Sequence, residues 1–432
     1  MRLTAVMRRL CDGRAEEVAC RRFFRNPKVK AAEIIATAAS RVAELAARRH
    51  VLLIQDTSEI NYQAKAGRKR DLGKVGNGSD VGLFVHPVVV VEAEGPANVL
   101  GLGGATIWRR HKTKTADYQS QPIETKESHR WITTALSARA ALVHTRLATM
   151  VADRESDIYE VFARVPQLEP GMPLTHLLIR CHHDRALGEQ AGRLHARIDT
   201  WPVAGHTHFE LDARPGRPAR EVTLQVRFGE VTLRQPKAGA DPADPAQVTL
   251  RLVDVRETDP PAGQAPVHWR LYTTHEVDTL EQALFVVELY RRRWIIEQVF
   301  RTLKSQGLDI EQSLLADGDA LENLAATTLV AAVQVMQCVH ARGEAGQTIP
   351  ATRVFTADHL PVLAALVKNF QGKTLKQKNT HPPHSLAWAV WVIARLGGWN
   401  GYPSERPPGP ITIRNGLERF HAIAEGFALA RL

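Results

Sequence analysis

Three acidic residues stand where carboxylates can do chemistry: Asp56, Asp153 and Glu297. Asp56 follows the apolar run Val51-Leu52-Leu53-Ile54-Gln55, which reads as a strand buried on both faces. Asp153 follows a second such run, Leu147 to Ala152. A carboxylate just past a buried strand is a favoured place for catalysis in α/β folds; from position alone the commoner role there is a turn or helix N-cap. Glu297 lies within Y-R-R-R-W-I-I-E-Q-V-F-R-T-L-K, Tyr290 to Lys304. On one continuous helix, at roughly 100° per residue, Tyr290, Arg293, Glu297 and Lys304 share an arc of about 60° over roughly 21 Å. Ile295, Ile296, Val299, Phe300 and Leu303 gather on another face. The spacing lines up a carboxylate with two cations and a phenol. It also fits an ordinary amphipathic helix with a solvated polar face.

Three converging carboxylates can hold two oxygen-ligand cations about 3.5–4 Å apart. Such ions activate a water or a DNA 3′-hydroxyl and stabilise the leaving oxygen of an in-line phosphoryl displacement. Mg²⁺ suits this chemistry, with Mn²⁺ as a substitute, because it leaves positions free for substrate phosphate. Arg293 would grip phosphate as a fork and Lys304 as a point charge.

The composition agrees with a polyanionic partner. The chain has 432 residues, enough for two or three domains, and 56 basic against 46 acidic side chains leave a net charge of +10. Four cysteines (Cys11, Cys20, Cys181, Cys338) without a CxxC pair argue against a disulfide framework or a zinc ribbon, and fit a reducing cytoplasm. In Cys181-His182-His183-Asp184, neighbouring strand residues alternate faces and do not converge on one ion. No apolar run reaches membrane-spanning length, so no membrane partner is expected.

The elements that must position these groups follow in order. Residues 1–25 read as basic and irregular. Asn26-Pro27 reads as the start of an Ala-rich helix running to about His50. Residues 64–80 read as a basic, Gly-rich loop, and Leu83–Val91 and Asn98–Trp108 as paired strands. Gly101, Gly103 and Gly104 lack the context of a nucleotide fingerprint. Residues 205–268 form a β-rich segment with a basic leading edge (Arg214, Arg217, Arg220) and strands at Glu221–Phe228, Val231–Gln235 and Val248–Val255. Asp278, with Glu281 three residues on, is expected to cap the long helix. Beyond 317 the pattern is helical (Ala320–His340, Ala351–Val367, Leu386–Leu396, 411–428), with a basic loop at Lys368, Lys373, Lys376 and Lys378.

Taken together, these motifs resemble the DDE transposases of bacterial insertion sequences, in the IS-four group. The group's signature Y-x-x-R-x-x-x-E-x-x-x-x-x-x-K is met by Tyr290, Arg293, Glu297 and Lys304. Asp56 in L-L-I-Q-D-T-S and Asp153 in V-A-D-R-E-S-D-I-Y-E resemble the segments of the two catalytic aspartates. F-F-R-N-P near the front and R-L-G-G-W near the end match as well, so the likeness spans roughly residues 20–430.

The resemblance implies an α/β fold: an RNase H-like mixed sheet flanked by helices, with a β-rich insertion and a helical C-terminal region. It implies Asp56, Asp153 and Glu297 as catalytic metal ligands. Tyr290, Arg293 and Lys304 would contact phosphates, with Arg154 and Arg180 beside them. Trp269 would stack on a base flipped from a hairpin intermediate, at a cost of a few kcal/mol that stacking offsets. Each of these has an ordinary alternative: Trp269 as a strand-end core residue, Arg154 and Arg180 as solvated surface arginines. The implied partners are double-stranded DNA, as transposon ends and target, and a second copy of the chain in a homodimer.

The corresponding domains are 1–50 (remnant of a helical DNA-binding region), 51–204 (first part of the core), 205–268 (insertion), 269–316 (second part of the core) and 317–432 (helical, assigned to dimerisation). The family carries a longer helical region before F-F-R-N-P. An alternative expectation is therefore a shortened, non-catalytic inhibitor that dimerises with full-length transposase.

Overall fold

The computed structural model describes residues 3–76, 78–111, 117–118, 120–188, 192–211, 218–402 and 404–430; Arg214, Arg217 and the side chain of Lys376 lie outside the described set. The strands are β1 His50–Gln55, β2 Ser58–Asn61, β3 Gly73–Val75, β4 Asp80–Glu92, β5 Val99–Trp108, β6 Leu147–Ala152, β7 Thr175–Arg180, β8 Gly205–Leu211, β9 Arg220–Arg234, β10 Gln247–Glu257 and β11 His268–Thr273. The helices are α1 Met7–Leu10, α2 Arg14–Arg25, α3 Ala31–Ala46, α4 Arg130–Ala141, α5 Tyr159–Arg164, α6 Leu194–Asp199, α7 Leu280–Arg291, α8 Trp294–Lys304, α9 Gly318–His340, α10 His359–Phe370, α11 Leu386–Leu396 and α12 Pro410–Leu429. They form two compact units, residues 1–46, 57–113 and 295–432 in the first, and 47–56 and 114–294 in the second.

In the second unit β1, β6 and β7 run parallel, and β11, β10, β9 and β8 continue the same sheet antiparallel. β1 and β6 are buried almost throughout, which is why both read as unbroken apolar runs. On the α4/α5 side, Trp131, Tyr159, Phe162, Leu177, Ile179 and Tyr272 pack into one core. The β-rich segment is therefore a continuation of the sheet: β11 carries its strands onto β7. The expected break between Phe228 and Val231 is absent, and β9 runs straight through. Gly229 serves packing there, since a Cβ would meet the Trp201 ring at 2.8 Å.

In the first unit β2, β3 and β5 each pair antiparallel with β4, and α3 and α9 pack on β5. Gly101, at φ +150°, lets α3 come close, because a Cβ there would meet Val42 at 2.5 Å. The basic stretch is not one loop: Gln63–Arg68 form a 3₁₀ helix and Gly73–Val75 form β3, and its lysines are pinned. Lys65 Nζ donates to the Glu311 carbonyl (2.8 Å) and Lys69 Nζ to the carbonyls of Ser313 (2.8 Å) and Leu315 (2.6 Å).

Several boundaries differ from the sequence reading. Residues 14–25 form α2, so Asn26 closes one helix and does not open the next; its Oδ1 accepts from the Lys28 N–H. The helix expected at 351–367 begins at His359, after a 3₁₀ turn at Ala351–Arg353. The long helix starts from Thr279, not Asp278. Thr279 Oγ1 accepts from the Gln282 N–H and Gln282 Oε1 from the Thr279 N–H, a complete capping box, while Asp278 pairs with Arg251 at 3.0 Å. Most consequential is a break at Arg292–Arg293 between α7 and α8. Arg293 N–H bonds back to the Tyr290 carbonyl, three residues away, in a tight turn. Tyr290 and Lys304 therefore do not lie on one continuous helix, and the shared face expected for Tyr290, Arg293, Glu297 and Lys304 is broken at this turn.

Candidate active site

The register of the parallel strands fixes the site. Ile54 lies opposite Val151, so two residues further on Asp56 and Asp153 leave the same edge of the sheet from neighbouring strands. Neighbouring strands lie about 4.8 Å apart, which brings the two carboxylates within reach of one group. That group is Arg293. Its Nη1 donates to Asp56 Oδ2 at 2.9 Å, and its Nη2 lies 3.6 Å from Asp153 Oδ2. The side chains are 10 % exposed for Arg293, 16 % for Asp56 and 27 % for Asp153, so the pairings are shielded yet open to an approaching ligand. The tight turn after α7 is what delivers Arg293 there.

Further groups surround Asp153. It caps the turn that follows β6, its Oδ1 accepting from the Arg154 N–H at 2.7 Å. The Tyr290 hydroxyl points at the same oxygen from 3.5 Å, and Arg180 Nη1 stands 3.9 Å away. Arg180 is also fixed by Nη2 donating to the His268 carbonyl. The Arg154 guanidinium lies 4.0 Å from Asp153, with its side chain 55 % exposed. Tyr290 is buried, and its phenol is pushed up to about 12. Burial is the larger cause and the Asp153 carboxylate the next, with Arg293 and Arg180 pulling the other way. The phenol thus stays a neutral donor at ordinary pH.

Trp269 on β11 meets the Tyr290 ring edge-on at 5.5 Å and stacks on Phe209 of β8 at 5.5 Å and 11°. It is half-buried. The second unit therefore brings together Asp56, Asp153, Tyr290, Arg293, Arg154, Arg180 and Trp269. Glu297 and Lys304, both partly exposed on α8, belong to the first unit.

Two further side chains stand beside the site, Phe209 and Asp157. Phe209 is an inward residue on an edge strand, and alternation alone gives it no chemical signal. Asp157 belongs to D-R-E-S-D, and its role is structural. Its Oδ2 accepts from the N–H groups of His182 and His183 (2.7 and 2.8 Å), and Oδ1 from Arg185 (2.7 Å). This fastens the segment after β7 under the turn after β6. In Cys181-His182-His183-Asp184, Asp184 Oδ1 accepts from the His195 N–H, so this stretch serves loop structure.

Two hard carboxylates at one sheet edge suit an oxygen-seeking divalent ion, and the Arg293 guanidinium between them already occupies a place of positive charge. Among the described residues no group of three His, Cys, Asp or Glu side chains is gathered for an ion. On donor chemistry the pair fits an oxygen-seeking divalent ion that keeps other positions for water or phosphate.

A mixed sheet flanked by helices, with aspartates at the ends of adjacent parallel strands and a C-terminal helical region, is compatible with the RNase H-like fold of DDE transposases. Residues 125–333 match the family model described as the transposase DDE domain, which supports a DDE transposase and with it DNA cleavage and transposition. The matched segment holds Asp153, Arg154, Arg180, Trp269, Tyr290, Arg293, Glu297 and Lys304; Asp56 precedes it. Among the described residues no helix is long and apolar enough to cross a membrane.

Proposed function

We propose that this chain is the transposase of a bacterial insertion sequence, of the IS-four group with the Tyr-Arg-Glu-Lys signature, acting as a homodimer on DNA. It moves its element by cutting and pasting through a hairpin intermediate. The observation that carries this reading is the in-register pair Asp56 and Asp153 held by one guanidinium, beside a phenol and two further arginines. Glu297 supplies the third carboxylate, supported by its place in the matched segment, four residues after Arg293 along the chain.

Asp56, Asp153 and Glu297 would hold Mg²⁺, or Mn²⁺ in its place; bound ions supply activation of water or a 3′-hydroxyl and stabilisation of the leaving oxygen. The chain's own side chains do the positioning. Arg293, Arg180, Arg154 and Lys304 offer donors to the phosphates flanking the cut, and neutral Tyr290 adds one more. Trp269, its ring already seated between Phe209 and Tyr290, stacks on a base extruded from the hairpin.

The test uses the full chain, a duplex carrying the element's end, and Mg²⁺. A nick followed by a hairpin on a denaturing gel is expected, with neither from Glu297→Ala. Trp269→Ala should nick normally and lose hairpin about 10-fold, the scale of one lost base–aromatic stack. Equal products from wild type and Glu297→Ala would sink the reading.

A further inference from the structure

At the front of the first unit, Cys11 and Cys20 bring their sulfurs to 3.6 Å, with Cys11 Sγ donating to Cys20 Sγ. Cys11 closes α1, and Cys20 lies near the middle of α2. Both are free thiols in the structure. We propose that Cys11 and Cys20 are a reversible oxidation site, which a small disulfide of the glutathione type converts into an intramolecular disulfide tying α1 to α2.

The surroundings show what such a bond would join. The segment before Cys11 is held to the loop after α8: the Ala5 N–H donates to the Leu308 carbonyl (2.7 Å), and Arg9 pairs with Asp309 at 3.2 Å. The helix bearing Cys20 is held elsewhere. Asn323 of α9 donates to the carbonyl of Phe24, and Arg25 pairs with Asp317 at 2.7 Å. A bond between the two sulfurs would join these attachments covalently.

The two sulfurs differ in exposure, and that difference sets which one reacts first. Cys11 is buried and Cys20 half-buried, so the oxidant meets Cys20 first. Burial, the Cys20 sulfur and then the Glu16 and Glu17 carboxylates push the Cys11 thiol up to about 12, so it holds its proton. The Cys20 thiolate attacks a sulfur of the small disulfide, forming a mixed disulfide and releasing one thiolate of the reagent. Cys11, as it loses its proton, attacks Cys20 Sγ and releases the second. Two cysteine thiols are oxidised, one small disulfide is reduced to two thiols, and the protons from the cysteines pass to them. The second attack should quicken as pH rises, because it needs the Cys11 thiolate.

The whole chain is incubated with oxidised glutathione, then denatured, alkylated and digested with trypsin. The expected product is the disulfide-linked pair Leu10–Arg14 and Ala15–Arg21, lighter by two hydrogens than the separate peptides, with Cys181 and Cys338 alkylated. Dithiothreitol should restore four alkylated cysteines. Cys11→Ser should stop at the glutathione adduct on Cys20. The oxidised wild type should also melt several degrees higher than the reduced, and Cys11→Ser/Cys20→Ser should show no such shift. Four alkylated cysteines after treatment, or a lasting adduct on Cys20 in the wild type, would overturn the proposal.

Discussion

Arg293 ties the aspartates of two separate strands into one site, and its geometry decides what replaces it. Its two terminal nitrogens face Asp56 and Asp153 at once, which an ammonium on a flexible stem does not reproduce. Arg293→Lys is expected to lower stability by about 1.5–3 kcal/mol, the scale of hydrogen bonds to charged groups, as read by urea unfolding. Asp157 illustrates a different kind of carboxylate, fully buried and satisfied by two backbone N–H groups and Arg185. Asp157→Ala strands Arg185 and should cost about 3–5 kcal/mol, measured the same way. Asp56 and Asp153 could be picked out of the sequence because each ends an unbroken apolar run. The role of Asp157 could not, because its cation lies 28 residues away and meets it by tertiary folding. Phe209 was illegible for the same reason: strand alternation says that it faces inward, but not that Trp269 lies against it.

Among the elements, the buried strands were the most legible, since continuous hydrophobicity and parallel pairing have one cause, burial on both faces. The break between α7 and α8 was not legible. Tyr290-Arg291-Arg292-Arg293-Trp294 contains no helix breaker, and Arg292 itself keeps helical angles (φ −64°, ψ −18°). The turn is stabilised by what Arg293 reaches, information that periodicity lacks. The start of α7 lies one residue beyond the Asp278 that the sequence favours, for a related reason. Asp278 and Thr279 both suit an N-cap, and Gln282 chooses Thr279 by completing the reciprocal pair. Thr279→Ala should cost about 1 kcal/mol in a denaturant titration.

Over the whole molecule, charge and pH are the levers. With a net charge of +10, affinity for DNA should fall steeply with added salt. Within the second unit, a buried histidine group responds to acid. The His275 ring stacks on His176 at 4.0 Å, and Thr149 Oγ1 lies 2.9 Å from His275 Nε2 and 2.8 Å from His50 Nε2. His176 Nδ1 lies 3.0 Å from Thr274 Oγ1, Phe285 packs nearby, and the Glu276 carboxylate acts on His176. Burial first, then His176 and His50, push His275 down to about 3. It is therefore neutral when folded, whereas the unfolded chain takes up a proton below about 6.5. Stability is complete above that pH and should decline progressively as pH falls from 6.5 towards 3. His275→Gln should flatten this slope in melting scans taken between those limits.

If Asp56 and Asp153 act together on DNA, as proposed, cleavage of end-containing duplex depends on both carboxylates. Asp56→Asn and Asp153→Asn should each bind the duplex and keep most of their folded structure, yet cut it at least about 10²-fold more slowly than wild type in Mg²⁺. Cleavage by either variant at the wild-type rate would show that the aspartate pair is not the cutting site.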